Sequence, residues 1–409
     1  MKRVIYITLC VFLFASCNKE NGEPTPQKPI VISLDAPQKT KVQQDNDFAF
    51  DFLQRSVNAF DDANVVLSPI SVSLALGMVW NGADGDTKTK METALKMSGL
   101  SVEQINEYYK LMQTSLPRID PKTKLSIANS IWYKNGFQVY RDFLETNKEY
   151  FNSEVAALDF TNPQAVKTIN DWCAKNTNNL IPKVLDYIPG DAVMYLINAI
   201  YFKGTWSTQF DKERTFETNF YNEDNTTNLV KMMSVTESFN YTEDESAQYL
   251  ELPYGSGFFN MTFILPKGEK TTTDIIDNIN ISKWNDIQNQ MYSQEVVVRI
   301  PRFKTKLQYL LNDVLQAMGM TSAFGDFANF SKISMEDIFI SRVLHDTYIE
   351  VTEEGTEAAA VTTVEMVEFA SEEPQNVVFF ANKPFLFLIH EKSTGIILFI
   401  GKIGNVEKF

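Results

Sequence analysis

A chain of 409 residues is long enough for two or three average domains or for one large mixed fold, and length alone does not choose between them. With 44% apolar and 12% aromatic residues, including 30 Phe, and few long polar tracts, the composition is that of a globular chain with a large core, not of a disordered one. The 37 basic and 52 acidic residues leave a net charge of −15, which argues against nucleic acid and anionic membrane surfaces as partners and favours cationic proteins.

The first segment has the three parts of a secretory leader: basic Lys2-Arg3, an apolar run from Val4 to Phe14, then Ala15-Ser16-Cys17. The run is too short to span a bilayer, so residues 1–16 are expected to be a signal peptide. Loss of Lys2 and Arg3 with it takes the net charge to −17. Phe14-Ala15-Ser16-Cys17 resembles a lipobox, in which the thiol receives diacylglycerol, so Cys17 is the expected lipidation site; the alternative is an ordinary leader cut nearby. Asn18-Lys19-Glu20 resembles the acidic sorting signal of some Bacteroidota lipoproteins. Together these imply secretion across the inner membrane and an outer-membrane lipoprotein, held at the cell surface if that signal acts. Pro24, Pro26, Pro29 and Pro37 among polar residues make 17–44, behind the lipidated Cys, a semi-extended spacer. Cys10 falls in the leader and Cys17 ends it. Only Cys173 remains in the folded part, and no disulfide framework arises.

From Asp45 the pattern changes. Phe48, Phe52, Leu53, Val57 and Phe60 share one helical face behind an Asp/Asn cap, so the first helix is expected to start there. Ser68-Pro69 then supplies an N-cap and a first-turn proline for a buried helix that stops at Asn81-Gly82. Strand-like runs follow at Leu125–Tyr133, Leu196–Lys203, Val296–Arg302, Val343–Thr352, and Val377–Ile403 broken at 391–395. Helical patterns lie between them, notably Lys167–Asn179 and Tyr309–Met318. With no repeats and no second linker, one α+β domain from 45 to 409 is the simplest account.

Catalytic chemistry is poorly provided for. The chain has two histidines, His345 and His390, neither in a metal-ligand spacing, and no Gly-rich phosphate loop; no metal or cofactor is implied. His345 lies in a strand-like run, where a buried, hydrogen-bonded structural role is expected, although triad members can be remote in sequence. The acidic cluster Glu350, Glu353, Glu354 and Glu357 lacks the ligand spacing of a calcium loop and is expected to be a solvated face.

The segment from Glu353 to Ala370 is the informative one. Read with period two, Thr356, Ala358, Ala360, Thr362, Val364 and Met366 form one face, and Glu357, Ala359, Val361, Thr363, Glu365 and Val367 the other. No proline occurs from Thr356 to Glu373, so the stretch can donate to a ladder on both sides. Yet it follows a good strand directly through Glu353-Glu354-Gly355. Strand chemistry behind a permissive glycine describes a loop able to become a strand; the alternative is a small-residue linker before the last hairpin.

Over essentially all of 45–409 the sequence resembles the serpin family. The resemblance rests on Glu353 to Ala360, which looks like the inhibitory hinge, and on Asn64 to Ser71, Leu125 to Asn129, Asn198 to Trp206, Pro301 to Phe303, and Asn382 to Phe387, all in the family's order. It implies an α+β serpin domain with three β-sheets, eight or nine helices and an exposed reactive-centre loop. By residue match, Ser68, Ser71, Asn198 and His345 correspond to the shutter beneath the central sheet. Arg302, Trp206 and Glu353 correspond to the breach at its top, where the charged pair is expected near the surface and worth little to stability. The hinge is Glu353, Glu354, Gly355, Thr356, Glu357, Ala358, Ala359 and Ala360. Loop spacing places the reactive bond at Phe369-Ala370, with Met366, Val367 and Glu368 as neighbouring cleavage positions.

The implied function is irreversible suicide inhibition. A serine or cysteine protease acylates itself on the loop, which inserts into the central sheet before water hydrolyses the ester. Phe369 suits chymotrypsin-like targets, and cleavage after Val367 or Met366 suits elastase-like ones. The implied partners are such proteases in a covalent 1:1 complex. The inhibitor is itself a monomer and no enzyme, meets the membrane through its lipid alone, and binds no nucleic acid. The alternative is a non-inhibitory serpin acting as a binding module.

Overall fold

The computed structural model describes residues 31–356 and 376–408. In chain order its elements begin with α1 (Ala36–Ala59), β1 (Asn64–Leu67), α2 (Pro69–Trp80), α3 (Gly85–Ala94), α4 (Val102–Ser115), β2 (Thr123–Lys134), α5 (Arg141–Phe151), β3 (Glu154–Leu158) and α6 (Gln164–Asn176). Next come β4 (Met194–Thr205), β5 (Phe216–Tyr221), β6 (Thr227–Glu243), β7 (Ala247–Tyr254), β8 (Phe259–Pro266), α7 (Thr272–Asn278), α8 (Ile281–Gln290), β9 (Tyr292–Pro301), β10 (Phe303–Leu310) and α9 (Asn312–Ala317). The chain closes with β11 (Leu344–Thr352), β12 (Gly355–Thr356), β13 (Val377–Phe380), β14 (Phe385–Glu391) and β15 (Ile397–Ile403).

Among the described residues this makes nine α-helices and two hydrogen-bonded sheets, an α+β architecture. The six-stranded sheet has the order β10-β11-β12-β4-β2-β3. The nine-stranded sheet runs β1-β15-β14-β8-β7-β6-β9-β13, with β5 beside β6. Two of the three sheets that the family resemblance implies are continuous here through β6. This strand of 17 residues pairs with β5 at one end, with β9 along its middle and with β7 at the other end.

Helix α2 lies between the two sheets, against β4 and β15. Every residue of it except Ala75 is buried, as a helix apolar on all sides requires. A second, smaller core forms on the opposite face of the six-stranded sheet. There Ile169, Trp172 and Cys173 of α6 pack on Trp132 of β2 and Ala199 of β4.

Two sequence-based boundaries move. Helix α1 begins at Ala36, not Asp45, so the last residues assigned to the spacer are its first turns. Asp35 and Gln38 form a reciprocal capping box at 2.8 and 3.0 Å, and Pro37 occupies the first turn, where its missing N–H is no loss. Lys41 is fully buried, paired with Asp45, its ammonium 5.2 Å from the Tyr109 ring centre. The second shift is at 309–318, where Tyr309 and Leu310 end β10 and only Asn312–Ala317 is α-helical.

Candidate functional site

The six-stranded sheet contains a seam. Strand β12 is two residues long and pairs on both sides, Thr356 with Val351 and Gly204, Gly355 with Thr352 and Thr205. With neighbouring strands ~4.8 Å apart, β11 and β4 are two strand spacings from each other at this level. Further along, no strand among the described residues lies between Leu344–Glu350 and Met194–Lys203.

Local chemistry explains why Gly355 and Thr356 occupy the top of the seam. Gly355 has φ +142°, and a Cβ there would lie 2.1 Å from the carbonyl oxygen of Gly204, so only glycine fits. Thr356 is 4% exposed and points inward, its Oγ1 2.7 Å from the Tyr254 hydroxyl. Tyr254 stacks on Trp206 at 4.3 Å and 12°, and a Cβ on Gly204 would come within 2.7 Å of the tyrosine ring. Burial pushes the Tyr254 hydroxyl well above the ordinary tyrosine range, so it is neutral here. Tyr254 is a residue the sequence offered no means of finding, because its place in the seam depends on β7 crossing the end of β4.

Arg302, Trp206 and Glu353 meet at the same end. The Glu353 carboxylate accepts from Arg302 Nε at 2.8 Å and Nη2 at 2.5 Å, and from Thr215 Oγ1 at 2.6 Å. The Trp206 indole N–H donates to the Thr352 carbonyl at 2.9 Å. The backbone N–H groups of Trp206 and Phe210 donate to the carbonyls of Glu354 and Glu353. The turn between β11 and β12 is thus held from below and from the side. Glu353 is 1% exposed, which corrects two expectations. The charged pair is not superficial, and the acidic cluster is not a uniformly solvated face, since Glu353 pairs with Arg302 and Glu354 with Lys212. Burial by itself would raise the Glu353 carboxyl. The hydrogen bonds from Arg302 and Thr215, with the guanidinium charge, outweigh burial and hold it below the usual carboxylate range.

Ser68, Ser71, Asn198 and His345 also come together, beneath the middle of the sheet. The Ser68 N–H donates to His345 Nε2 at 3.0 Å, and the Ser71 hydroxyl donates to Asn198 Oδ1. His345 stands on β11 and Asn198 on β4, so the N-terminus of α2 clasps both flanks of the seam. Because a backbone N–H can only donate, Nε2 must be unprotonated and the ring neutral. Burial agrees, pushing His345 down to about 4. Ser68 sits at the N-cap of α2 but does not cap it with its side chain; the hydroxyl donates instead to the Leu398 carbonyl on β15 at 2.8 Å. The cluster is larger than the four residues matched by sequence. Asn198 Nδ2 donates to Asn129 on β2 at 2.7 Å, and Asn129 donates to Gln113 on α4 at 2.9 Å and to the Phe151 carbonyl at 2.7 Å. A polar Asn within the apolar run Leu125–Tyr133 was the available signal.

Cys17, the hinge residues Glu357, Ala358, Ala359 and Ala360, and the cleavage positions Met366, Val367, Glu368, Phe369 and Ala370 lie outside the described residues.

Fold and site define an α+β protein whose six-stranded sheet holds the start of a downstream segment between two strands clasped by one buried helix. The family model described as "Serpin (serine protease inhibitor)" matches residues 43–406, and the chain belongs to the serpin family. It is 35% identical over 370 residues to intracellular coagulation inhibitor 2 of Tachypleus tridentatus, covering 88% of this chain and 90% of that one. Among solved structures it resembles the thermophilic serpin tengpin in its native state, with a TM-score of 0.83, 33% identity and coverage of 93% and 97%. It also resembles human thyroxine-binding globulin, with a TM-score of 0.81, 27% identity and coverage of 91% and 100%.

Proposed function

We propose that the chain is an irreversible suicide inhibitor of serine endopeptidases, and of cysteine endopeptidases that accept the same loop. The observation that carries this reading is the seating of Gly355 and Thr356 between β11 and β4, at the mouth of a seam with no further described strand in it. A target protease acylates on the loop, and the residues after Thr356 follow into the seam as a new strand that draws the protease away before deacylation. A strand entering there pairs its own ladder groups on both sides, with β11 and with β4, which favours entry. Phe369-Ala370 is the reactive bond in this reading, chymotrypsin-like or elastase-like enzymes are the targets, and the complex is a covalent 1:1 pair formed by a monomeric inhibitor. Cys17 carries the lipid that tethers the domain to the outer membrane.

A binding-module reading has one support, the likeness to thyroxine-binding globulin. Against it stand the glycine and the small, inward-facing threonine at the top of the seam, which a strand that never enters does not need. Incubation with chymotrypsin separates the two readings. Inhibition yields an SDS-stable complex, a released fragment beginning at Ala370, and a sharply higher melting temperature after loop cleavage. Cleavage with neither complex nor added stability refutes the inhibitory reading.

A further inference from the structure

Arg299 on β9 is held in place but not paired. Its guanidinium carbon lies 5.6 Å from the ring centre of Phe380 on β13 and 6.0 Å from that of Phe216 on β5. A guanidinium has five N–H donors, yet Nε is buried here without an acceptor, and among the described residues no carboxylate pairs with the group. Glu217 and Glu295, the acidic residues of β5 and β9, are engaged elsewhere, by Lys231 at 2.9 Å and by Asn376. The surface around it is apolar and open. Register sets Arg299 opposite Phe380 and Val297 opposite Val378, so these four share one face, on which Val378 is 46% exposed; Phe216 beside them is 39% exposed. An arginine between aromatic rings, rimmed by exposed apolar side chains, has the composition that protein interfaces favour over free surface.

The position of the patch in the chain points to its occupant. Strand β13 begins at Val377, seven residues beyond Ala370. Seven residues span at most ~25 Å, less than the ~30 Å diameter of even a small domain, so a protease engaged at Phe369-Ala370 is within reach of this face. We propose that Arg299, with Phe216, Phe380 and Val378, is a second docking surface for the target protease, fitted by an Asp or Glu side chain beside an apolar one on the protease body. The inference rests on the inhibitory reading and adds to it a determinant of specificity outside the loop. A carboxylate at Arg299 takes up the idle donors in a charge-assisted, two-pronged pair, and the flanking rings shield that pair from water. The contact forms while the protease docks, before the loop is cut. It therefore sets how fast the complex forms and leaves unchanged the later competition between trapping and hydrolysis.

The test compares wild type with Arg299→Gln, Val378→Asp and, as a control for net charge, Arg141→Gln, whose side chain on α5 is 86% exposed. Two quantities are read with chymotrypsin and with elastase: the rate of inactivation, and the moles of chain consumed per mole of protease inactivated. Arg299→Gln and Val378→Asp are each expected to slow inactivation of the better-inhibited enzyme about ten- to thirty-fold at unchanged consumption, the size of a lost interface hot spot, while Arg141→Gln keeps the wild-type rate. Val378→Asp, at an exposed position, carries the test should Arg299→Gln fail to fold. Wild-type rates in the patch variants overturn the inference and leave the inhibitory reading standing. Raised consumption at an unchanged rate overturns it too, because the residues then act in insertion. A lower uncleaved melting temperature of Arg299→Gln with an unchanged rate gives the arginine a partner within the chain, and wild-type dimers dispersed by Val378→Asp give the patch to a second copy; either result overturns it. Wild type yielding no covalent complex with either enzyme overturns both readings.

Discussion

Replacing Thr356 by Arg places a guanidinium where the structure has room for a hydroxyl. Thr356 is 4% exposed, its Oγ1 is 2.7 Å from the Tyr254 hydroxyl, and Tyr254 is itself backed by the stacked ring of Trp206. The Glu353 carboxylate at the same end is already taken by Arg302 and Thr215. An arginine that enters with the strand is therefore buried without a partner, at a cost of several kcal/mol. Taking ~4 kcal/mol against the insertion step slows it roughly 10³-fold, enough for deacylation to win. The assay is a time course with chymotrypsin, scoring covalent complex against cleaved chain on denaturing gels. Thr356→Arg is expected to be cleaved at the wild-type rate and to give no complex. Thr356→Val, which removes only the hydrogen bond to Tyr254 at about 1 kcal/mol, should give a mixture. Complex formation by Thr356→Arg at the wild-type yield would refute the inward placement of residue 356.

Three further expectations follow, two from the same geometry and one from the lipidation proposed for Cys17. Arg302→Ala leaves the buried Glu353 carboxylate without its main partner and should cost about 3 kcal/mol of uncleaved stability in urea, with Glu353→Gln milder; a loss below about 1 kcal/mol would mean solvent already screens the pair. His345 is held at about 4 when folded, against 6.5 for an ordinary histidine, so the unfolded chain takes up the proton first. Its contribution of about 3 kcal/mol is complete above pH 6.5 and is lost as pH falls towards 4. Neighbouring Asp346, raised by burial to about 6, acts in the opposite sense. The difference between wild type and His345→Asn across pH 7 to 4 therefore isolates the histidine, and parallel curves would refute the neutral, buried assignment. Finally, Cys17→Ala should release a soluble, still inhibitory protein, and detergent partitioning unchanged by the substitution would reject lipidation.

The limits of sequence reading show at particular residues. Ser68-Pro69 announced α2, and the strand-like run Val343–Thr352 announced β11, because both depend on chemistry within a few residues. The start of α1 was equally local, in Asp35, Pro37 and Gln38, but a proline among polar residues resembles a spacer when the capping box is overlooked. Strand β8, Phe259–Pro266, is buried on both faces although Phe259-Asn260-Met261-Thr262-Phe263 alternates, because Asn260 and Thr262 are covered by parts of the chain that no local window contains. Motif matches named Ser68, Ser71, Asn198 and His345 together, and the structure places them as two hydrogen-bonded pairs, Ser68 with His345 and Ser71 with Asn198. The matches did not extend to Asn129 and Gln113, since a hydrogen bond between β2 and α4 has no local signature.

What the sequence by itself determined is what one segment's residues dictate: a buried α2, and a glycine-led segment with the chemistry of a strand and no proline to forbid it. The burial of Glu353, the stacked pair of Tyr254 and Trp206 that receives Thr356, and the meeting of His345 and Asn198 at the N-terminus of α2 were decided only by the tertiary structure. Each depends on which strand lies beside which and in what register. Register across a sheet is set by packing between residues far apart in the chain, so no window of the sequence contains it.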